Sequence, residues 1–298
     1  MRKPFLQAVA ERVLLGDGAM GTQLQQAGLE PGAPGEVWNV EEPARVMAIQ
    51  RRYADAGSDL LLTNTFGGNR SRLALHGQEA RAYEFNLAAA RLAREVMGDD
   101  RYVLGDIGPF GGFIEPLGDA ERDEVVQWFD EQVRAFVEGG VDAFIIETMT
   151  ALEEVECAIE AIRRHSSLPI VASMAFDKTQ QGTYRTMMGV SPAQAAARMV
   201  ELGADIVGCN CGTGLDIHDY AHIVAEMSAA VNRPVMAQPN AGKPELTDEG
   251  IVYHETPAMM ATGVAALVAA GARIVGGCCG TTPEHIRLFR AELDKLRG

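Results

Sequence analysis

Short apolar runs alternate with amphipathic stretches along the whole chain. Eight runs read as strands, at residues 13–15, 60–63, 102–104, 143–146, 169–172, 206–208, 234–237 and 274–276. They lack strict alternation, the pattern of parallel strands covered on both faces. Between them the period turns helical. Across 121–138, Val125, Trp128, Phe129, Val133, Phe136 and Val137 recur at three- and four-residue steps and make one apolar helix face. Ser191-Pro192 and Thr282-Pro283 each offer an N-cap followed by a proline at the first helical position.

A repeated junction marks the helix ends. Ala56-Gly57-Ser58-Asp59, Gly139-Gly140-Val141-Asp142, Leu202-Gly203-Ala204-Asp205 and Ala270-Gly271-Ala272-Arg273 each lead into an apolar run. In each, the glycine supplies the left-handed conformation that closes a helix. Gly57, Gly140, Gly203 and Gly271 stand 83, 63 and 68 residues apart. The last two spacings each hold about two strand–helix units, and the first has room for an insertion. An open doubly wound sheet is the alternative arrangement of such units. The pattern predicts an α/β fold, a single (β/α)8 TIM barrel occupying residues 1–298.

Composition narrows the function classes. The 298 residues carry 26 Lys and Arg against 41 Asp and Glu, a formal charge of −15. Such an acidic chain is a poor match for a phosphate backbone or an anionic membrane surface, so neither nucleic acid nor membrane is expected as a partner. Charged residues interrupt the N-terminus before any signal-length apolar stretch, which points to a cytoplasmic protein. Five cysteines, an odd number, are too few for a disulfide scaffold in a chain this long.

Chemistry in such a barrel is expected at the C-terminal ends of its strands. Those ends hold Gly16-Asp17-Gly18-Ala19-Met20-Gly21-Thr22, Asn64-Thr65-Phe66, Gly105-Asp106-Ile107-Gly108-Pro109, Glu147-Thr148-Met149, Cys209-Asn210-Cys211-Gly212, Pro239-Asn240-Ala241-Gly242 and Gly276-Gly277-Cys278-Cys279-Gly280. Cys211 follows the sixth strand, while Cys278 and Cys279 follow the eighth. Strands of the same parity contribute to one layer of a barrel, so these thiols can meet at its mouth. Three thiolates there would suit zinc and leave a fourth tetrahedral position open, the arrangement of a catalytic site. Vicinal cysteines on a regular strand face opposite ways, so both reach one metal only where the backbone bends, and the flanking glycines permit that. Three other readings stand beside this one: buried small hydrophobes, a vicinal disulfide, and Cys209 as a competing ligand in line with Cys211. Cys157 reads as a helix packing residue, and His218 and His222 as part of a solvated helix start.

Taken in order, these segments resemble the homocysteine S-methyltransferase family, and most closely the homocysteine-binding domain of cobalamin-dependent methionine synthases. The likeness runs from Val13 to about Leu296, and its most specific stretch is Gly276 to Ile286. The resemblance implies zinc (Zn2+) held by Cys211, Cys278 and Cys279, with Asn240 as a weak ligand in the resting state. It implies that Asp17 and Glu147 lie near the amino group of L-homocysteine, and that the amides of Gly18 and Ala19 hold its carboxylate. The implied activity is transfer of a methyl group to the homocysteine thiol, forming methionine. Methylcobalamin, carried by a separate corrinoid- or folate-binding domain or protein, is the implied donor. S-methylmethionine or a betaine-type compound is the alternative donor on the same barrel, and a non-catalytic zinc-binding subunit is the alternative of another class.

Overall fold

The computed structural model describes residues 2–247 and 250–297. Eight parallel strands form one sheet: β1 (Leu14–Leu15), β2 (Leu60–Leu62), β3 (Tyr102–Ile107), β4 (Ala143–Met149), β5 (Ile170–Met174), β6 (Ile206–Asn210), β7 (Val235–Gln238) and β8 (Ala272–Val275). Their order around the sheet is β1-β8-β7-β6-β5-β4-β3-β2. The two ends meet at a seam. The Asp59 amide donates to the Leu15 carbonyl at 2.7 Å, and the Asp59 carboxylate accepts the Leu15 N–H at 2.8 Å. Ser58 Oγ adds a bond to the Gly16 carbonyl at 3.1 Å. The expected (β/α)8 barrel is therefore observed.

The junction glycines behave as the sequence implies. Gly57, Gly140, Gly203 and Gly271 have φ of +105°, +76°, +108° and +114°, a region open to glycine and costly for other residues. The helix expected over 121–138 runs Arg122–Gly139. Ser191 caps the helix Pro192–Leu202 through a capping box with Gln194, and Asp216 caps Ile217–Ala230 with Asp219. His218 thus sits in the first turn of a capped helix, as its acidic neighbours imply.

Inside the barrel, successive residues alternate between two environments. Leu14, Leu60, Tyr102, Leu104, Ala143, Ile145, Val171, Ile206, Met236 and Ile274 form one buried cluster within the barrel. Leu15, Leu61, Val103, Phe144, Ile146, Ala172, Val207, Val235 and Val275 join the larger cluster beneath the helices. The inner cluster also contains Phe5, Ala8 and Val9 of the helix Phe5–Glu11, which plugs the N-terminal end. Phe5 meets Tyr102 edge-on at 5.2 Å between ring centroids. Neither this plug nor the antiparallel hairpins Asp177–Lys178/Tyr184–Arg185 and Pro244–Thr247/Gly250–Tyr253 is announced by the hydrophobic pattern, because each is too short to show a period.

At the seam, Asp59 also accepts from Arg12 at 2.8 Å and from Arg290 at 2.5 Å. Burial opposes its charge, but these guanidinium groups and the Leu15 amide hold its carboxyl below the usual range. A depressed carboxylate stabilises the fold above its unfolded pKa and loses that contribution as the pH falls through the folded one. Asp59→Asn should therefore lower stability by about 2–4 kcal/mol near neutral pH. In urea unfolding, the gap from the wild type should close below roughly pH 4.

Candidate active site

The inward positions of the strands change character along their length. Below they are apolar; one inward step further toward the C-terminal end they become polar. Leu104 is followed by Asp106, Ile145 by Glu147, Val171 by Ser173 and Met236 by Gln238. All four polar residues are buried, and Asp106, Glu147 and Gln238 line a cavity of about 280 Å³ at the barrel mouth. Asp17, Cys211, Cys278 and Cys279 line the same cavity.

The three sulfur atoms of Cys211, Cys278 and Cys279 lie within 4.8 Å of one another, with Cys278 and Cys279 Sγ 4.0 Å apart. Tetrahedral zinc with Zn–S bonds near 2.3 Å sets sulfurs roughly 3.8 Å apart, so the trio fits that ion with small adjustments. Among the described residues no other group of three or more His, Cys, Asp and Glu side chains is gathered this closely. All five cysteines are free, so the vicinal disulfide is not formed.

Each cysteine is aimed by its own loop. β6 ends at Asn210, and Cys211 turns out of register with a left-handed φ of +54°. Its carbonyl accepts the hydroxyl of buried Tyr220. Gly212 follows at φ +96°, where an added Cβ would lie 2.0 Å from the Phe176 carbonyl oxygen, so only glycine fits. This break separates Cys211 from Cys209. Cys209 points outward from the strand into the core beneath the helices, is 1% exposed, and has its thiol pushed up to about 12 by burial. It is not part of the sulfur cluster. Cys157 is likewise buried on the helix Leu152–His165.

The Cys278-Cys279 turn is sewn to two neighbouring loops. The Gly277 amide donates to the Asp17 carbonyl at 2.8 Å and the Cys278 amide to Pro239 O at 2.8 Å. The Ala241 amide donates to Cys279 O at 2.9 Å, and Gly280 closes the turn at φ +79°. Thr281 Oγ1 donates to Cys278 O at 2.7 Å and accepts the Ala19 amide at 3.0 Å. One of the two amides expected to face a substrate carboxylate is therefore engaged by Thr281, whereas Gly18 N–H has no partner among the described residues. Gly18 itself is sterically required, since a Cβ there would lie 2.7 Å from Thr281 Oγ1 and 2.8 Å from Tyr53.

Negative charge gathers on the thiols. Hydrogen bonds from Cys278 and Cys279, helped by the amides of Gly212 and Asn240, pull the Cys211 thiol down to about 3 against its burial. Cys278 rises well above the usual thiol range and Cys279 goes up to about 12, because both share the Cys211 thiolate. Asn240 presents Nδ2 to Cys211 Sγ at 3.8 Å and to the Gly212 carbonyl at 3.1 Å. Its Oδ1 is buried and unpartnered among the described residues. A turn of the amide would aim an oxygen at the sulfurs.

Across the cavity stand the carboxyls. Asp17 Oδ2 accepts the Leu62 N–H at 2.9 Å, yet burial pushes its pKa up to about 7. Glu147 is pushed up to about 8, by burial first and then by the charges of Asp17 and Cys211. The next residue, Thr148, is held at φ +61° by Asn210, which accepts the Thr148 N–H at 2.9 Å and donates to its hydroxyl at 2.6 Å. Ser173 Oγ supports Asn210 Oδ1 at 2.7 Å. Asn210 is thus the clamp that positions the Glu147 loop. The sequence puts Asp106 and Asn210 at strand ends but assigns neither a role; the clamp and the cavity position follow from the tertiary structure. The usable signal was the period-two step from Leu104 to Asp106.

The homocysteine S-methyltransferase family model matches residues 14–293. Methionine synthase from Mycobacterium leprae (strain TN) is 36% identical over 309 residues, covering 98% of this chain and 25% of that protein. Methionine synthase from Mycobacterium tuberculosis is 34% identical, over 98% of this chain and 26% of that protein. The chain therefore spans about a quarter of the length of these curated relatives. The metallated form of the homocysteine methyltransferase MmuM from Escherichia coli shares the fold, with a TM-score of 0.80 at 21% identity over 97% of this chain and 99% of that one. The chain belongs to the homocysteine S-methyltransferase family.

Proposed function

We propose that residues 1–298 act as a homocysteine-binding barrel that transfers a methyl group to the thiol of L-homocysteine and forms methionine. The observation that carries this reading is the pairing, in one cavity, of a three-thiol cluster with buried carboxyls on the facing strand ends. Zinc on Cys211, Cys278 and Cys279 would supply a Lewis acid that favours the substrate's thiolate at neutral pH. Homocysteine presents a thiol at one end and an ammonium and a carboxylate at the other, which matches this polarity. Asp17 and Glu147 would accept from the ammonium, and the Gly18 amide would donate to the carboxylate, with Ala19 joining it where Thr281 releases its N–H. Fixing both ends orients the sulfur for in-line attack on a methyl carbon. Asn240 would approach the metal through Oδ1 when no thiol is bound.

Methylcobalamin, carried by a corrinoid-binding domain or protein, is the proposed donor. The motif resemblance and the relatives named methionine synthase support it. Zinc-loaded protein mixed with homocysteine and each of methylcobalamin, S-methylmethionine and betaine should form methionine from the first. Methionine formed only from S-methylmethionine or betaine would reassign the donor. Absence of both product and proton release on adding homocysteine would overturn the function.

The thiol trio makes a separate forecast. Cys211→Ser, Cys278→Ser and Cys279→Ser should each abolish stoichiometric zinc, as read by metal analysis after dialysis. Cys209→Ser should retain the metal while lowering the melting temperature, because a hydroxyl replaces a thiol among apolar neighbours.

The raised carboxyls give the site a pH signature. A bound ammonium favours their ionised form, so binding must release protons while they are partly protonated. Affinity for methionine, which has the ammonium but no free thiol, should rise as pH increases from 6 toward 8. The Asp17 contribution should be centred near 7. Asp17→Asn should weaken binding about tenfold or more and flatten that dependence in calorimetric titrations.

A further inference from the structure

Each cysteine of the trio meets a side-chain donor from outside it, and the three donors differ. Asn240 Nδ2 reaches Cys211 Sγ at 3.8 Å, and Asn210 Nδ2 reaches Cys278 Sγ at 3.9 Å. The Tyr253 side chain hydrogen-bonds the Cys279 thiol and opposes the rise in its pKa. Both amides are held nitrogen-first. Asn210 Oδ1 already accepts the Thr148 N–H and the Ser173 hydroxyl, which turns Nδ2 toward Thr148 Oγ1 and Cys278. Asn240 Nδ2 also donates to the Gly212 carbonyl at 3.1 Å. Tyr253 ends the second strand of its hairpin, and its ring lies on Gly280, where an added Cβ would come within 2.2 Å of the ring. The chain leaving that hairpin is tied to the cysteine turn: the Glu255 N–H donates to Ala241 O at 3.0 Å, and the Ala241 N–H to Cys279 O at 2.9 Å. His285 Nε2 meets the Glu255 carbonyl at 3.1 Å.

These contacts bear on a selectivity problem that the proposed reaction poses. Homocysteine would join three protein sulfurs as a fourth, and the methyl group must go to that one alone. The nucleophilicity of a thiolate falls as its basicity falls, and a hydrogen bond to the charged form lowers basicity. Donors fixed around metal ligands tune those ligands in the same way. A sulfur that enters from solvent brings no such donor with it, whereas the three protein sulfurs have theirs built in.

We propose that Asn210, Asn240 and Tyr253 direct the methyl group to the substrate: by donating to Cys278, Cys211 and Cys279 respectively, they damp the protein's own sulfurs and leave the substrate thiolate as the strongest nucleophile in the cavity. This rests on the homocysteine reading above. Methylation of a cysteine would form an S–CH3 bond, break the bond from carbon to its leaving group, and convert a metal-binding thiolate into a neutral thioether. The three donors therefore also guard the centre against self-inactivation. They are positioning residues, acting on the reaction through the cysteines.

Iodomethane serves as the probe, since attack by a thiolate forms an S–CH3 bond and expels iodide. Zinc-loaded wild type, Tyr253→Phe and Asn240→Ala are treated with it, with and without homocysteine. S-methylation of each cysteine is mapped by mass spectrometry, and zinc content and melting temperature are measured alongside. Wild type should form methionine faster than homocysteine does alone in buffer, and should leave its cysteines unmodified. Tyr253→Phe keeps the ring over Gly280 and loses only the hydroxyl. It should be methylated roughly three- to tenfold faster than wild type at Cys279 alone, with or without homocysteine. Asn240→Ala should show the same rise at Cys211 when homocysteine is present. Both variants should retain full zinc. An equal rise at all three cysteines, or a rise accompanied by loss of zinc, would make these residues structural covers and overturn the proposal. Unchanged rates in both variants would overturn it while leaving the homocysteine reading intact. Wild type that does not accelerate methionine formation would overturn the homocysteine reading, and the Cys279 rate without homocysteine decides the donor roles separately.

Discussion

The architecture of the barrel mouth depends on holding three sulfurs, Cys211 standing 67 residues before Cys278, within 4.8 Å of one another. Closure of the sheet sets the distance between the ends of β6 and β8, and β7 between them provides the register. Two local devices finish the alignment. A left-handed Cys211, braced by Tyr220 and followed by an obligatory glycine, swings its thiol off the strand axis. The Gly276-Gly277 and Gly280 positions fold the Cys278-Cys279 pair so that both thiols face one side. Backbone strain of this kind persists only where surrounding contacts determine it. Here the loops after β1 and β7 do so through Gly277, Cys278 and Ala241.

The cavity is organised as two acidic poles in an apolar barrel. At one, three thiols concentrate a single negative charge on Cys211; at the other, Asp17, Asp106 and Glu147 are buried together and resist ionisation. Each pole is unfavourable without a cation. Under the proposed function, a metal at the first and an ammonium at the second would relieve both. Asn210 links the poles, since it clamps Thr148 beside Glu147 and directs its amide toward Cys278 Sγ at 3.9 Å.

The eight strands, the capped helices and the four junction glycines were legible because each follows from a local rule: buried apolar runs, a three-to-four residue period, and a left-handed helix end. The cysteine trio was legible because strand number assigns both clusters to the same end and parity of the barrel. Cys209 was ambiguous for a definite reason. Regular strand geometry puts it in line with Cys211, and only the positive φ at Cys211 sends the two thiols to opposite sides of the sheet. The plug helix Phe5–Glu11 and the two hairpins escaped because short elements carry too few residues for a period to emerge.

What the sequence determined by itself was the barrel, its polarity and the chemical types gathered at its mouth, since periodicity and turn chemistry depend on neighbours in the chain. The tertiary structure alone decided which oxygens and sulfurs are shared, occupied or left without partners. Thr281 takes the Ala19 amide, Asn240 offers nitrogen and not oxygen to Cys211, and Asp106 faces the cavity with an unsatisfied oxygen. Those facts arise from atoms brought together across the closed barrel, and a hydrogen bond forms or fails over tenths of an ångström that no spacing along the chain records.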